Sequence, residues 1–398
     1  MMERPNLNPI QQKQNFFSAL TLGMLLEHQM RQDPHFYLFS PDETTSNKLH
    51  QVYQTNARAW AMPVKPWDLP ESPDGRIVEM LSENVLFATM VGHLMNGESA
   101  MMTSYEAFFN IITSQLIQHI KFLQQSDDVK WRPKIPAVNL LSTSTCWRQD
   151  HNGFTHQAPA LISTLLSLPS SKVNCLFPVD DMAAVAAFSH MITSKNVVNL
   201  TTFNKTEEPR WLTEGHAKRQ LQNGGIITFD FVSHPRPDII FTSAGDIATR
   251  ETLYAIKILR EDLPEAKIRF INIGALSYKA IGTTSHPLSQ ADFDQHFTTD
   301  KLILANFHGY PDALANILAE YADKKRLRVH GFTDRGTTTT PFEMLSMNQA
   351  SRYHLAMDVA NQYNRTDLLI KYRDILRQNQ AHAHKFGTDL SLITDFHI

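Results

Sequence analysis

The residues of this 398-residue chain best suited to chemistry crowd into residues 147–157, WRQDHNGFTHQ. One Arg, one Asp, two His, two Gln and one Asn surround a single Gly there. A stretch that polar cannot be core, and an ordinary surface loop rarely concentrates so many orienting donors and acceptors. His151 and His156 can move protons near neutral pH, and Gln149 and Asn152 present amides suited to hydroxyl or phosphate oxygens. The two imidazoles stand five positions apart. That spacing suits neither a helix face nor a strand face, and no third ligand follows nearby, so no metal centre is expected.

Other candidates are scattered. Glu83 follows a short apolar run, 76–81, where an open α/β sheet presents groups to a ligand. A carboxylate there can serve as a general base or share a proton with a ring nitrogen; a merely solvated carboxylate at a strand end is the plainer alternative. Tyr105 can stack on a flat ligand, although a buried tyrosine is the commoner outcome. Glu106 beside it is adequately explained by the dipole of a helix expected over 105–121. Thr44, Thr45, Ser46, Asn47 and Lys48 offer hydroxyls, an amide and a cation that suit a phosphate, or simply cap a helix. Lys205 is an unremarkable loop lysine, and the Thr-rich run 336–342 reads as a structural turn.

These residues need a scaffold, and the hydrophobic pattern supplies one. Short apolar runs at 138–141, 173–177 and 197–202 alternate with helices and polar loops, the signature of an open, mostly parallel sheet wrapped by helices. A second α/β unit starts at Asp238: strand 238–243, helix 249–263, strand 267–273 and strand 302–307, then a helical tail after Pro341. Residues 205–211 and 223–225 mark the boundary region. The apolar run 16–26 (FFSALTLGMLL) is too short to span a bilayer and has a weakly basic flank, so it reads as a packed helix rather than a signal peptide.

Composition sets the outer limits. A net charge of −3, with 42% hydrophobic and 19% charged residues, gives no global attraction to nucleic acid or to an anionic membrane. Two cysteines in so long a chain, Cys146 and Cys175, point to a reducing, cytoplasmic setting without a disulfide framework. The length implies two domains.

Taken in order, several segments resemble the phosphoketolase family of thiamine-diphosphate enzymes. They are FSPDETTSNKL (39–49), GRIVEMLSE (75–83), SYEAF (104–108), STSTCWRQDHNGFTHQ (142–157), FTTDKLILANFHGYP (297–311), GTTTTPFEM (336–344) and RYHLAMDV (352–359). WRQDHNGF and FHGYP are the specific signals. The resemblance implies an α/β fold of two consecutive doubly wound, mostly parallel sheets. A helical N-terminal arm (1–34) would precede a transketolase-like pyrimidine-binding domain (35–230) and a phosphoketolase C-terminal domain, transketolase C-terminal-like (235–398). It covers only the second half of such an enzyme. The first half, which grips the cofactor diphosphate through Mg²⁺ with a Gly-Asp-Gly motif, has no counterpart; Gly245-Asp246-Ile247 lies in the wrong unit and lacks the second Gly.

Carried over residue by residue, the resemblance makes Glu83 the carboxylate that contacts the pyrimidine N1′ of thiamine diphosphate, with Tyr105 packed against that ring. His156 and His151 would be catalytic, His156 in proton transfer at the substrate hydroxyls and His151 nearer the phosphate. Thr45, Asn47, Gln149, His151, Asn152 and Lys205 would bind the substrate. The chain departs from the family at Asn84, at the 97–100 loop (Gly-Glu-Ser-Ala in place of a basic pair), at residues 158–160 and at Lys48, which keeps a charge but loses the bidentate fork of an arginine. Loss of cations near an anion-binding cleft would weaken its field. The implied function is that of a C-terminal-half subunit of a split or truncated phosphoketolase. It would cleave xylulose 5-phosphate or fructose 6-phosphate with phosphate to acetyl phosphate and an aldose phosphate, and would be inactive without a diphosphate-binding partner. The alternative is a non-catalytic relative acting as scaffold or regulatory partner, for instance of a full-length phosphoketolase. An oligomer is expected under either reading.

Overall fold

Strand after strand in the first two thirds of the chain is buried on both faces, as happens when helices cover both sides of a parallel sheet. That is what the computed structural model shows. It describes residues 15–68, 70–148 and 153–396. Eleven strands form the first sheet, and six of them make its parallel centre, in the spatial order Val173–Leu176, Val198–Thr202, Val138–Thr143, Ala100–Tyr105, Tyr37–Ser40 and Ile77–Glu79. The register sets Val138 beside Val198, Leu140 beside Met102 and Met101 beside Leu38.

The second sheet has five strands, ordered Ile226–Thr228, Ile268–Ile273, Ile239–Ala244, Leu302–Phe307 and Leu327–His330; only the first runs antiparallel. Two consecutive, mostly parallel sheets wrapped by helices are the fold class expected. The sheets are not sealed off from each other in sequence. The hairpin Ala275–Ser277 with Ala280–Thr283 leaves the second unit and extends the first sheet, Ala275 pairing with Leu176.

The apolar run near the N-terminus is the helix Ser18–Gln32, which buries Ala19, Leu22, Leu26 and Met30 at helical spacing. Just before it, Asn15–Phe17 pairs antiparallel with Glu207–Pro209, and the Arg210 guanidinium lies 3.5 Å from the centre of the Phe16 ring. Among the described residues, no helix is long and apolar enough to cross a membrane.

One sequence expectation fails instructively. The helix foreseen over 105–121 is a strand end, a 3₁₀ turn at Phe108–Ile112 and a helix only from Thr113 to Ser126. Helical spacing is real for the buried Leu116, Ile120 and Leu123. Tyr105 itself is claimed by the sheet, where it pairs with Thr143, and tertiary pairing overrides a local period.

Candidate active site

Five parallel strands of the first sheet end on the same edge, and each delivers one chemical group there. Glu43 follows Tyr37–Ser40, Glu83 follows Ile77–Glu79, Tyr105 closes Ala100–Tyr105, His156 lies beyond Val138–Thr143, and Lys205 follows Val198–Thr202. The carboxyl edge of an open sheet is where α/β proteins build sites.

Glu83 is the first residue of the helix Glu83–Met95, a position whose dipole favours a carboxylate. It is only 9% exposed, and Ser104 Oγ donates to its Oε1 across 3.5 Å. Tyr105 is fixed at both ends: its N–H donates to Glu43 Oε2 at 2.9 Å and its hydroxyl to Ser46 Oγ at 3.1 Å. Its ring stacks on Phe108 at 5.9 Å between centroids and 14° between planes. The His156 imidazole meets Phe108 edge-on at 5.1 Å and Tyr105 at 6.3 Å. Lys205 Nζ lies 4.7 Å from the centre of the Tyr105 ring. One cleft therefore holds two acids, two stacked aromatic rings, an imidazole and an ammonium.

The cleft's charges are coupled. Burial pushes the Glu43 carboxyl up to about 8; the nearby Glu83 charge adds to the rise, while the Tyr105 N–H, Asn47 and Lys205 oppose it. Lys205 is pulled below its ordinary value by burial, with Lys48 adding to the fall and Glu43 opposing it. Asn47, fully buried, is spent inside this network. Its amide nitrogen reaches Glu43 Oε2 and Thr103 Oγ1 at 3.5 Å each, and its oxygen accepts from Ser144 Oγ at 3.3 Å. Thr45 is exposed. Gln149, His151 and Asn152 lie outside the described residues.

The loop that carries His156 is closed from above. Gly153, at φ +75°, has Thr338 Oγ1 2.6 Å from where a Cβ would stand, and Gly336 likewise has Gln157 Oε1 at 2.2 Å. The Thr-rich run is thus an irregular segment packed on the loop. Gln157 is buried beneath it, its amide N and O both without a partner.

A second buried cluster lies under the cleft. Glu106 Oε1 and His308 Nε2 are 2.6 Å apart, and Glu106 Oε2 accepts the Cys146 N–H at 2.8 Å. The His308 carbonyl accepts from Trp147 Nε1 at 2.9 Å. Burial drags His308 down, but the Glu106 charge and hydrogen bond, with Asp246 behind, more than offset it and raise it above the usual imidazole value. Glu106, Cys146 and His308 place three ligand-capable atoms within 4.8 Å of one another. The 2.6 Å contact joins Glu106 and His308 directly as an ion pair and leaves His308 Nδ1 buried without a hydrogen-bond partner. Glu106 is thus no helix-dipole residue, as the sequence suggested. Gly245, at φ +108°, admits the His308 side chain, which stands 2.7 Å from where a Cβ would sit. Asp246 next to it accepts the Asn204 N–H at 2.7 Å.

The 97–100 loop is not part of the cleft. It precedes Ala100–Tyr105 at the opposite edge of the sheet, about 17 Å from Tyr105 for a six-residue strand. Glu98 there pairs with His93 Nδ1 at 2.8 Å. Its altered charge therefore does not bear on the field in the cleft. Sequence reasoning missed Glu43, Phe108 and His308, while Ser46 belongs to the phosphate-suited run it named. Glu43 stands beside that run, and His308 stands in FHGYP, so the signals were present without a geometry to read them.

Comparison with known proteins gives the chain a set of relatives. The family described as D-xylulose 5-phosphate/D-fructose 6-phosphate phosphoketolase matches residues 21–194, and its C-terminal domain matches residues 205–398. A probable phosphoketolase of Thermosynechococcus vestitus is 36% identical over 382 residues, 92% of this chain but 47% of the relative. Another, from Rhodopseudomonas palustris strain TIE-1, is 35% identical over 94% of this chain and 49% of its own length. The chain thus spans about half the length of the curated relatives it matches. Among solved structures, a transketolase of Pichia stipitis determined with xylulose 5-phosphate superposes with a TM-score of 0.65 at 14% identity, covering 88% of this chain and 46% of the other. A split-gene transketolase described as an inactive beta4 tetramer gives 0.59 at 14% identity, covering 89% of this chain and 99% of that one. At such identities the structures share the fold alone.

Proposed function

The chain belongs to the phosphoketolase family, and on that premise we propose that it forms the pyrimidine-facing wall of a thiamine-diphosphate site, which a diphosphate-binding partner completes. The reaction proposed is the cleavage of xylulose 5-phosphate or fructose 6-phosphate by inorganic phosphate, giving acetyl phosphate, an aldose phosphate and water. One observation carries this reading: Glu83, Tyr105, His156 and Lys205 converge on one sheet edge beside a rim of exposed apolar side chains. Leu81 is 82% exposed and Ile111 54%, with Met80 and Val85 beside them. Bare apolar surface at the mouth of a polar cleft is the mark of a surface awaiting a partner.

The residues present fit the cofactor's pyrimidine half. A buried carboxylate suits a ring nitrogen that must share a proton, and the Tyr105–Phe108 pair suits a flat heterocycle. When bound, thiamine diphosphate supplies the carbanion chemistry, and the protein supplies orientation and electrostatics. Glu83 would hold the proton at N1′. His156, half-buried against Phe108, would exchange protons with the sugar hydroxyls. Lys205, steered by the Tyr105 ring, would hold the sugar phosphate; Thr45 and Ser46, both exposed, lie at the same edge. Asn47 would act from beneath, positioning Glu43. Gln149, His151 and Asn152 complete the substrate-binding set proposed from the family motif. Mg²⁺ and the diphosphate would be held by the partner, in a cytoplasmic oligomer.

The scaffold alternative drew on the altered 97–100 loop, which lies on the far edge of the sheet and removes nothing from the cleft. The test is direct. The purified chain, given thiamine diphosphate, Mg²⁺, phosphate and either sugar phosphate, is expected to make no acetyl phosphate; the complex co-purified from its native cell is expected to make it. Robust turnover by the chain alone overturns the requirement for a partner. Turnover retained in a Glu83→Ala complex overturns the role of Glu83.

A further inference from the structure

Two consecutive residues of one strand hold two carboxyl groups. Ser104 Oγ reaches Glu83 Oε1 at 3.5 Å, and the Tyr105 N–H reaches Glu43 Oε2 at 2.9 Å. Both acids are buried, at 9% and 8% exposure. Two carboxylates buried at one strand end repel each other with little water to screen them, which favours keeping one proton on the pair.

We propose that Glu43 is the second carboxyl of the cleft and shares one proton with Glu83, so that Glu43 serves as a positioning residue that sets the protonation of Glu83. The function of this pair rests on the reading of Glu83 given above. The sharing itself rests on the cleft's own geometry.

The surroundings decide which acid keeps the proton. Glu43 faces Glu83 on the helix Glu83–Met95, the Tyr105 amide on its strand and the Asn47 amide on its own turn. Lys205 faces it from the loop after Val198–Thr202, with Lys48 behind that lysine. Asp42, next in the chain, turns away to Arg58 at 3.8 Å. No cation is paired to Glu43 within ion-pair distance among the described residues, whereas Glu83 has the positive end of a helix beneath it. Burial pushes Glu43 up to about 8. The proton therefore resides on Glu43. A ligand ring that draws a proton toward Glu83 shifts both acids together, and Glu43 reports that shift to Tyr105 through the hydrogen bond they share.

Infrared titration of the full chain, without coenzyme or partner, tests this by following the carbonyl band of a protonated carboxylic acid. At about pH 7 the native chain is expected to show a band that is missing in Glu43→Gln and kept in Glu83→Gln. On raising the pH, the midpoint of its loss is expected to fall in Glu83→Gln, where the neighbouring charge is gone, and to rise in Lys205→Met. Identical spectra for the native chain and Glu43→Gln, or an unmoved midpoint in Glu83→Gln, overturn the proposal. Should Glu43→Gln not fold, the Glu83→Gln and Lys205→Met shifts alone decide. In an active complex, Glu43→Gln is expected to move the pH–rate profile, which a merely structural residue would leave in place. Because the titration needs no coenzyme, a chain that proves inactive in every complex leaves its result standing, and a failed titration leaves the activity test untouched.

Discussion

Glu106 and His308 stand 202 positions apart in the chain and 2.6 Å apart in space, both buried. Their contact ties the strand end that presents Tyr105 to the second sheet, and through Cys146 and Trp147 to the start of the polar loop. The cleft is built on one sheet, yet it is held in register by the other.

Breaking that pair leaves a buried charge without a partner. Glu106→Ala and His308→Ala should each cost about 3–5 kcal/mol, read from urea unfolding of the chain. The double variant should lose clearly less than the sum, since the two act on one contact. The pair also gives stability a pH dependence. His308 is raised in the fold, so its contribution is complete below the ordinary imidazole value and is lost as pH rises through the raised one. His308→Gln should lack that component; a native-like alkaline fall in the variant would show that the charge sits elsewhere.

Lys205 and Tyr105 can be separated by kinetics in the reconstituted complex. Lys205→Met should raise KM for the sugar phosphate roughly ten- to a hundredfold, the worth of a charged hydrogen bond of about 1.5–3 kcal/mol. Tyr105→Phe keeps the ring and loses only the hydroxyl contact with Ser46, so its effect should stay near tenfold or below, roughly 1 kcal/mol. Equal damage from both changes would mean that Lys205 acts through the Tyr105 ring and not on the substrate.

His119 offers a control remote from the polar loop. Burial lowers it to about 4, with Arg132 adding to the fall, while its ring packs on Phe87 and Phe122. The unfolded chain takes up that proton near the usual imidazole value and the native chain does not, so stability should fall as pH drops from about 6.5 toward 4, by on the order of 3 kcal/mol. His119→Leu should flatten this acid limb in pH-dependent unfolding. An unchanged limb would assign the loss to other groups, such as His354, which burial likewise lowers to about 4.

Some of this was written in the residues themselves. Apolar runs buried on both faces foretold parallel strands at Val138–Thr143, Val198–Thr202 and Leu302–Phe307, because no other architecture hides such runs from water. The crowding of donors in 147–157 and the family-specific motifs around Glu83 and Tyr105 were legible as candidates, and their roles remain proposals. Local sequence could not show that Tyr105 ends a strand, since helical spacing and strand pairing compete and only the partner strand resolves them. Nor could it show Glu106 meeting His308, Glu43 lying beside Glu83, or the 97–100 loop standing at the wrong edge to matter. Each of these depends on which residues distant in the chain are brought together, and on how much water is excluded where they meet. Charge, hydrogen bonding and proton affinity in this cleft are consequences of that enclosure, so they exist only once both sheets are in place.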